Sequence, residues 1–352
     1  MELIQPTSQA VAARPLGFGK CIAKYMSVCH FQVGQGWDTP EIVPYKAFEL
    51  DPCALVLHYG QSIYEGLKAY ARVDSSIGLF RPERNAARFR ASAARMAMAE
   101  MPESLFLRAV HDLVSHQRYL LPAPGNGSLY LRPVMIADEA AFGVRRSASY
   151  LFFIVATPVD DLYQPGGRGM RLRVTEDFAR IASKGGGDAK TSGNYARTIL
   201  ALDSARADGF DNVLWLDPTC LDHIEEAGIT NVFVQMNTGE IFTPPLNGRI
   251  LAGVTRQTVI EQARDWGLVV NEEEISIAKL TEALRVGDVR EIFLTGTATH
   301  IAPIDSISWR GNDYRLPAGS SQASTAGRLA SYIRNVQSGV LADPNGWMSI
   351  IK

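Results

Sequence analysis

Apolar and polar positions change period several times along the chain. SLYLRPVMIA (128–137) and YLFFIVATPV (150–159) are nearly unbroken apolar runs rich in β-branched and aromatic residues. They predict two core strands joined by the loop DEAAFGVRRSA. KAYARV and SIGLF predict a hairpin ahead of Arg81, and VLHYG (56–60) reads as a short strand or its exit followed by a turn. NAARFRASAARMAMA (85–99) is dense in strong helix formers and predicts a helix capped by Asn85. A second helix is expected over LFLRAVHDLVSHQRYL.

The pattern breaks at DDLYQPGGRG, where Pro165, Gly166, Gly167 and Gly169 predict a flexible connection. The expected organisation is a small α/β domain over 1–159, an interdomain loop at 160–170 and a large domain over 171–352. In the second half, RLRVT, NVLWLD and REIFLTGTA read as strands, and NVFVQMNTGEIFTPP as a hairpin turning at Asn237–Gly239. Helices are expected over NYARTILALDSARADG, after Gly253, and over the closing SQASTAGRLASYIRNVQSG. The mixture is not regular βαβ alternation, so the fold class is mixed α/β. No GxGxxG follows a strand, which argues against a dinucleotide fold.

Composition narrows the picture further. The 352 residues are 46% hydrophobic and 20% charged with a formal net charge of −2, an ordinary globular balance with room for two domains. That charge predicts no broad attraction to nucleic acid or membrane surfaces. No apolar run approaches the roughly 18 residues of a membrane helix, and the N-terminus lacks a secretory pattern. A cytoplasmic location is expected. Cys21, Cys29, Cys53 and Cys220 form no CxxC pair, and HExxH is absent, so no metal is expected.

Candidate chemistry concentrates in KGGGDAKTSGNYA (184–196). Three glycines precede Lys190, an amine that can condense with a carbonyl if its pocket holds an electron sink. A nucleotide phosphate loop is excluded, because Ala189 stands where GxxxxGK[ST] needs glycine.

Eight segments, in order, resemble the branched-chain amino-acid aminotransferase family of fold-type IV pyridoxal-phosphate enzymes: LHYGQSIYEGLKAY, LFRPERNAARF, LYLRP, GGGDAKTSGNYA, VLWLD, EEAGITNVF, TPPLNGRILAGVTRQ and FLTGTAT. The resemblance covers nearly the whole chain. It implies two domains joined by a short loop, pyridoxal 5'-phosphate as cofactor, and a homodimer in which one small domain reaches the neighbour's pocket. The implied reaction is transamination of leucine, isoleucine and valine with 2-oxoglutarate, as in branched-chain amino-acid biosynthesis. Rival readings are a transaminase for an aromatic or unusual hydrophobic amino acid, a D-amino-acid transaminase, an aminodeoxychorismate lyase, or a cofactor-free scaffold protein.

The same resemblance implies residue roles. Lys190 matches the lysine that carries the cofactor and moves the substrate proton. Glu226, with Glu225 beside it, matches the partner of the pyridine nitrogen, and Tyr195 the partner of the cofactor's ring oxygen. Arg88 matches the phosphate-binding arginine, with Arg84 and Arg90 as nearby alternatives. Gly253, Val254, Thr255, Gly296 and Thr297 complete the phosphate cup, where a helix start offers backbone N–H groups. Tyr59, Tyr64, Tyr130, Arg132, Thr297 and Ala298 match substrate-pocket positions, with Lys68 and Val144 near the rim. Tyr130 and Arg132 alternate along a strand and so share a face.

Some positions depart from the family pattern. Ile229 replaces a threonine, and FGKCIAKYM replaces the usual FGxxFTDHM while keeping Phe18. SKGGGDAK is less standard than PGGTGxxK. His300 stands where a small or apolar residue is usual, and Thr299 and Ala302 occupy the places of the CxxC pair of the mammalian enzymes. These changes leave the cofactor set whole and bear on the substrate pocket.

Overall fold

The computed structural model describes residues 16–160, 168–317 and 323–351. Contacts divide the chain into two compact units: Met1–Asp161 with Ala189–Gly193 and Ile333–Lys352, and Leu162–Asp188 with Asn194–Tyr332. The connection expected at 160–170 falls mainly on 161–167, outside the described residues. The short segment carrying Lys190 groups with the first unit, as does the end of the chain.

The first unit is built on one antiparallel sheet. Its strands are β1 (Tyr25–Gln32), β2 (Gly36–Trp37), β3 (Glu41–Pro44), β4 (Ser62–Tyr64), β5 (Leu67–Ala71), β6 (Ile77–Phe80), β7 (Ser128–Ala137), β8 (Ser149–Val159) and the last strand of the chain, β18 (Met348–Ile351). The order is β18-β6-β5-β7-β8-β1-β2, with β3 on β1 and β4 on β7. Between these strands lie the one-turn helix α1 (Leu55–Tyr59), α2 (Pro82–Arg95) and α3 (Glu103–His116). Phe89 of α2, Phe106 of α3 and Phe152 of β8 meet with ring centroids 5.3–6.1 Å apart and are fully buried at the centre of the core.

The second unit contains β9 (Met170–Thr175), β10 (Asn212–Leu216), β11 (Ile224–Ala227), β12 (Thr230–Met236), β13 (Ile241–Thr243), β14 (Val270–Glu272), β15 (Val289–Gly296), β16 (His300–Trp309) and β17 (Asn312–Arg315). The path β11-β10-β9-β16-β15-β12 is closed by pairing of β11 with β12, so six strands form a ring. Closure leaves those six without an unpaired edge. β13, β14 and β17 extend the ring. The helices of this half are α4 (Gly193–Ala196), α5 (Ile199–Ala207), α6 (Val254–Asp265), α7 (Ile277–Val286) and α8 (Thr325–Ser338), the last of which runs from the second unit into the first. Ile277, Leu280 and Leu284 of α7 join a core with Leu214, Val232, Leu294 and Ile304.

Several expectations need correction. VLHYG is the helix α1, ended by Gly60 at φ 63°, whose N–H donates to Val56 O at 3.1 Å. A five-residue apolar stretch carries too little periodicity to separate a helical turn from a strand. α2 begins three residues before Asn85, with Pro82 supplying a preset φ at the first turn. Asn85 is therefore a buried residue within the helix. The helix expected over 194–209 is two pieces, α4 and α5, and the sequence reading did not anticipate β18.

Candidate active site

In the first unit, Lys190 is fixed by its backbone. Its N–H donates to Ser92 Oγ at 2.9 Å, and its carbonyl accepts from Tyr64 N at 3.0 Å. Thr191 continues the clasp by bridging to Ile63 and donating its hydroxyl to Ser62 O at 2.8 Å. The Lys190 segment thus pairs with β4 through a single antiparallel bridge. Its Nζ lies 4.7 Å from the Tyr64 ring centroid, within cation–π range.

Glu65, next along from Tyr64, is fully buried and gathers the surrounding cations. Arg88 grips it with Nε to Oε1 at 2.7 Å and Nη2 to Oε2 at 2.8 Å. Asn85, one helical turn before Arg88, donates to Oε2 at 2.8 Å. Burial alone would raise the Glu65 pKa. The Arg88 charge and hydrogen bonds, then Lys190 and Asn85, outweigh burial and hold it below the usual carboxylate value. Arg84 is exposed, and Arg90 faces Glu103 at 3.0 Å and Glu100 at 4.0 Å. Of the three arginines considered, only Arg88 joins this cluster.

Tyr130 and Arg132 of β7 do share a face. Arg132 Nη2 donates to the Tyr130 hydroxyl at 2.9 Å, and its guanidinium lies 4.8 Å from the Tyr64 centroid. Phe18 meets Tyr130 edge-on at 4.8 Å. A Cβ on Gly66 would overlap the Tyr130 hydroxyl, so glycine there leaves room for this tyrosine in its present position. Tyr59 sits apart from this group, with its hydroxyl accepting from Gly143 N at 3.1 Å. Val144 is exposed, and Lys68 is buried opposite Tyr130 in the sheet register.

In the second unit, the adjacent strand residues Glu225 and Glu226 have different partners. Glu226 Oε1 accepts from Leu251 N at 3.0 Å and Asn231 Nδ2 at 3.3 Å, and Oε2 lies 3.0 Å from Arg180 Nε. Glu225 pairs instead with Arg249. Burial holds the Glu225 carboxyl above its ordinary value against the pull of Arg249 and Arg180.

Strand register ties Glu226 to the other candidates. Glu226 lies opposite Asn231, and Asn231 opposite Thr295, two residues before Thr297 in the turn from β15 to β16. Asn231 Nδ2 also donates to Leu251 O at 3.0 Å, and a Cβ on Gly253 would run into Asn231 Oδ1. Gly253 caps α6, whose first residues Val254 and Thr255 are buried. Glu226, Asn231, the α6 start and the Thr297–Ala298 turn therefore gather at one end of the ring. Tyr195 lies on α4 beside Asn194, whose side chain donates to Gly186 O at 2.9 Å. Gly187 is packed against the Arg249 carbonyl, where no Cβ fits. At least this member of the glycine run serves close chain crossing. Ile229 is 58% exposed beyond Gly228, which turns at φ 56°.

Sequence reading missed Glu65, Asn85 and Arg180 as members of these clusters. The i, i+3 spacing of Asn85 and Arg88 was the available signal for Asn85 alone; Glu65 is brought to them by the packing of α2 on the sheet. Nothing local pointed to Arg180, which follows β9 and meets Glu226 of β11, the next strand but one in the sheet.

Known proteins are similar to this chain in sequence and in fold. The family model for amino-transferase class IV matches residues 62–307. A probable branched-chain-amino-acid aminotransferase of Streptomyces coelicolor is 40% identical over 340 residues, 96% of this chain and 93% of its own length. Branched-chain-amino-acid aminotransferase 2 of Bacillus subtilis is 39% identical over 332 residues, 94% and 91% of the two chains. The crystal structure of the Escherichia coli branched-chain amino acid aminotransferase matches with a TM-score of 0.77 at 23% identity, covering 93% of this chain and 98% of that one. At that identity it speaks for the fold. With the family model spanning most of the chain and curated relatives aligned over nearly all of it, the protein belongs to the class IV aminotransferases, in the branched-chain-amino-acid aminotransferase family.

Proposed function

We propose that the protein transfers the amino group of leucine, isoleucine or valine to 2-oxoglutarate, with pyridoxal 5'-phosphate as cofactor and Lys190 as its covalent anchor. The observation that carries this reading is the clasp on Lys190, which fixes the residue's main chain and leaves its amine over Tyr64 beside Glu65 and Arg88.

The residues present fit the cofactor. Glu226 is buried with its carboxylate ordered by Arg180, Asn231 and Leu251 N, the environment a protonated ring nitrogen needs. Arg88 commits two of a guanidinium's five N–H donors to Glu65, which aims the fork for a phosphate. Within the second unit, Val254 and Thr255 at the α6 start and Thr297 offer groups of the kind that bind a phosphate, the role the family resemblance gives them. Tyr195 is assigned to the ring oxygen. When bound, the cofactor supplies a carbonyl that takes the amino group and a ring that withdraws electrons from the α-carbon.

The chain's residues do the rest. The Lys190 amine would take the proton from the substrate α-carbon and return it to the carbon two bonds away, on the other side of the amino nitrogen, a short transfer because its backbone is held. Tyr64 and Tyr130 offer ring faces to an aliphatic side chain. Arg132, oriented by the Tyr130 hydroxyl, receives the distal carboxylate of 2-oxoglutarate. The Ala298 backbone N–H and Thr297 receive the α-carboxylate. Tyr59 lines the pocket as part of a homodimer, and the exposed Leu57, Phe142 and Val144 are apolar surface that a second copy would cover.

No helix among the described residues is long and apolar enough to cross a membrane. A coupled transamination screen with 2-oxoglutarate against aliphatic, aromatic and D-amino acids tests the substrate assignment. Highest kcat/KM for leucine, isoleucine or valine is expected. A preference for an aromatic or D-amino acid would replace it.

A further inference from the structure

A second cluster of reactive side chains lies in the loop between β10 and β11, at the end of β10 opposite in sequence to Asn212. Asp217, Cys220 and His223 occur at three-residue spacing in DPTCLDH and bring one donor atom each to a common point. Cys220 Sγ lies 3.0 Å from Asp217 Oδ2 and 3.6 Å from His223 Nδ1, and His223 Nδ1 lies 3.9 Å from Asp217 Oδ2. Zinc bonds of about 2.0–2.3 Å at tetrahedral angles put neighbouring donors about 3.3–3.8 Å apart. The observed triangle brackets that spacing.

The loop that presents these donors is rigidly built. Asp217 Oδ1 accepts from Thr219 N at 3.0 Å and Cys220 N at 2.9 Å, and Oδ2 from His223 N at 3.0 Å. Leu221 holds φ 55°, a left-handed turn unusual for a branched side chain. Ile277 N donates to Asp222 O at 2.7 Å, and Asp222 Oδ1 accepts from Ser276 Oγ at 2.9 Å, anchoring the loop to the start of α7.

Charge and second partners favour a cation. Glu274 Oε2 is 3.5 Å from His223 Nδ1, and Asp222 Oδ2 is 3.9 Å from His223 Nε2. Among the described residues no Lys or Arg forms an ion pair with Asp217, Asp222 or Glu274. A carboxylate behind the far ring nitrogen is the usual support of a metal-bound histidine. Thiolate, imidazole and carboxylate together suit a borderline divalent ion better than magnesium or calcium, which prefer oxygen alone.

We propose that Asp217 Oδ2, Cys220 Sγ and His223 Nδ1 form a binding site for Zn²⁺, separate from the cofactor residues, with water in the fourth position. Binding exchanges the Cys220 thiol proton for the ion: Zn²⁺ enters, one H⁺ leaves to solvent, and the oxidation states are unchanged.

The test uses the full-length holoenzyme, stripped with a chelator and titrated calorimetrically with Zn²⁺. Metal content is measured after gel filtration, and Cys220 alkylation is followed by peptide mass spectrometry. The native chain should bind about one zinc, and zinc should slow Cys220 alkylation about tenfold or more. Cys220→Ser and His223→Ala should each weaken binding by more than about 100-fold, beyond the roughly 10–100-fold typical for losing a supporting partner. Their metal-free melting temperatures serve as the control for folding. Zinc uptake that is absent from the native chain, or equal in folded Cys220→Ser and the native chain, would overturn the proposal.

Discussion

Glu65 and Arg88 face each other as a two-point ion pair, Nε to Oε1 at 2.7 Å and Nη2 to Oε2 at 2.8 Å, with the carboxylate wholly buried. Removing one member of a buried pair leaves the other charge without compensation, at a cost of about 3–5 kcal/mol. Glu65→Gln should lower unfolding stability by that order in denaturant titration. It should also weaken pyridoxal phosphate binding through a misaimed Arg88, read by cofactor release on dilution. A cofactor affinity equal to that of the native chain would remove Glu65 from the site.

The same carboxylate predicts a pH dependence. Its folded pKa lies below the ordinary value. Its stabilising contribution is therefore complete above the unfolded glutamate pKa, about 4.3, and is lost as pH falls through the folded value. Unfolding free energy measured from pH 6 downward (about two units above that pKa) should fall less steeply in Glu65→Gln than in the native chain.

Lys190→Ala should reduce the transamination rate by at least about 10⁴-fold, because it removes both the covalent anchor and the proton carrier. Borohydride treatment of the pyridoxal-phosphate-loaded native enzyme should tag the peptide containing Lys190, identified by mass spectrometry. A tag on Lys184 instead would reassign the anchor.

Arg132→Met separates the two half-reactions. Losing a hydrogen bond to a charged group costs about 1.5–3 kcal/mol, roughly 10–150-fold. Single-turnover kinetics should show that loss with 2-oxoglutarate and a much smaller one with leucine. Equal losses with both would place Arg132 in a shared role.

Gly253→Ala adds a methyl group where Asn231 Oδ1 lies, and Asn231 is a partner of Glu226. Overpacking of this kind costs about 1–3 kcal/mol, expected here as weaker cofactor binding with little change in the far-ultraviolet circular dichroism.

Long elements were legible from pattern alone. β7 spans Ser128–Ala137, the bounds of its apolar run, and α6 begins directly after Gly253. Local text did not reveal what depends on distant partners. Met348–Ile351 becomes a strand because β6 offers it an edge, and the ring of the second unit exists because β11 meets β12. Site legibility followed the same line. Tyr130 and Arg132 could be paired from strand alternation, whereas Glu65, 23 positions from Arg88, could not be linked to it without the packing of α2 on the sheet.

The clasp of Ser92, Tyr64 and Thr191 on the lysine segment fixes the root of a flexible arm. Each catalytic cycle would then demand only torsional motion about four methylene carbons, and no main-chain hydrogen bond need break. The reorganisation per turnover is thus confined to side-chain rotamers, worth up to about 2 kcal/mol of entropy, and the amine stays confined to a small volume about a stationary α-carbon.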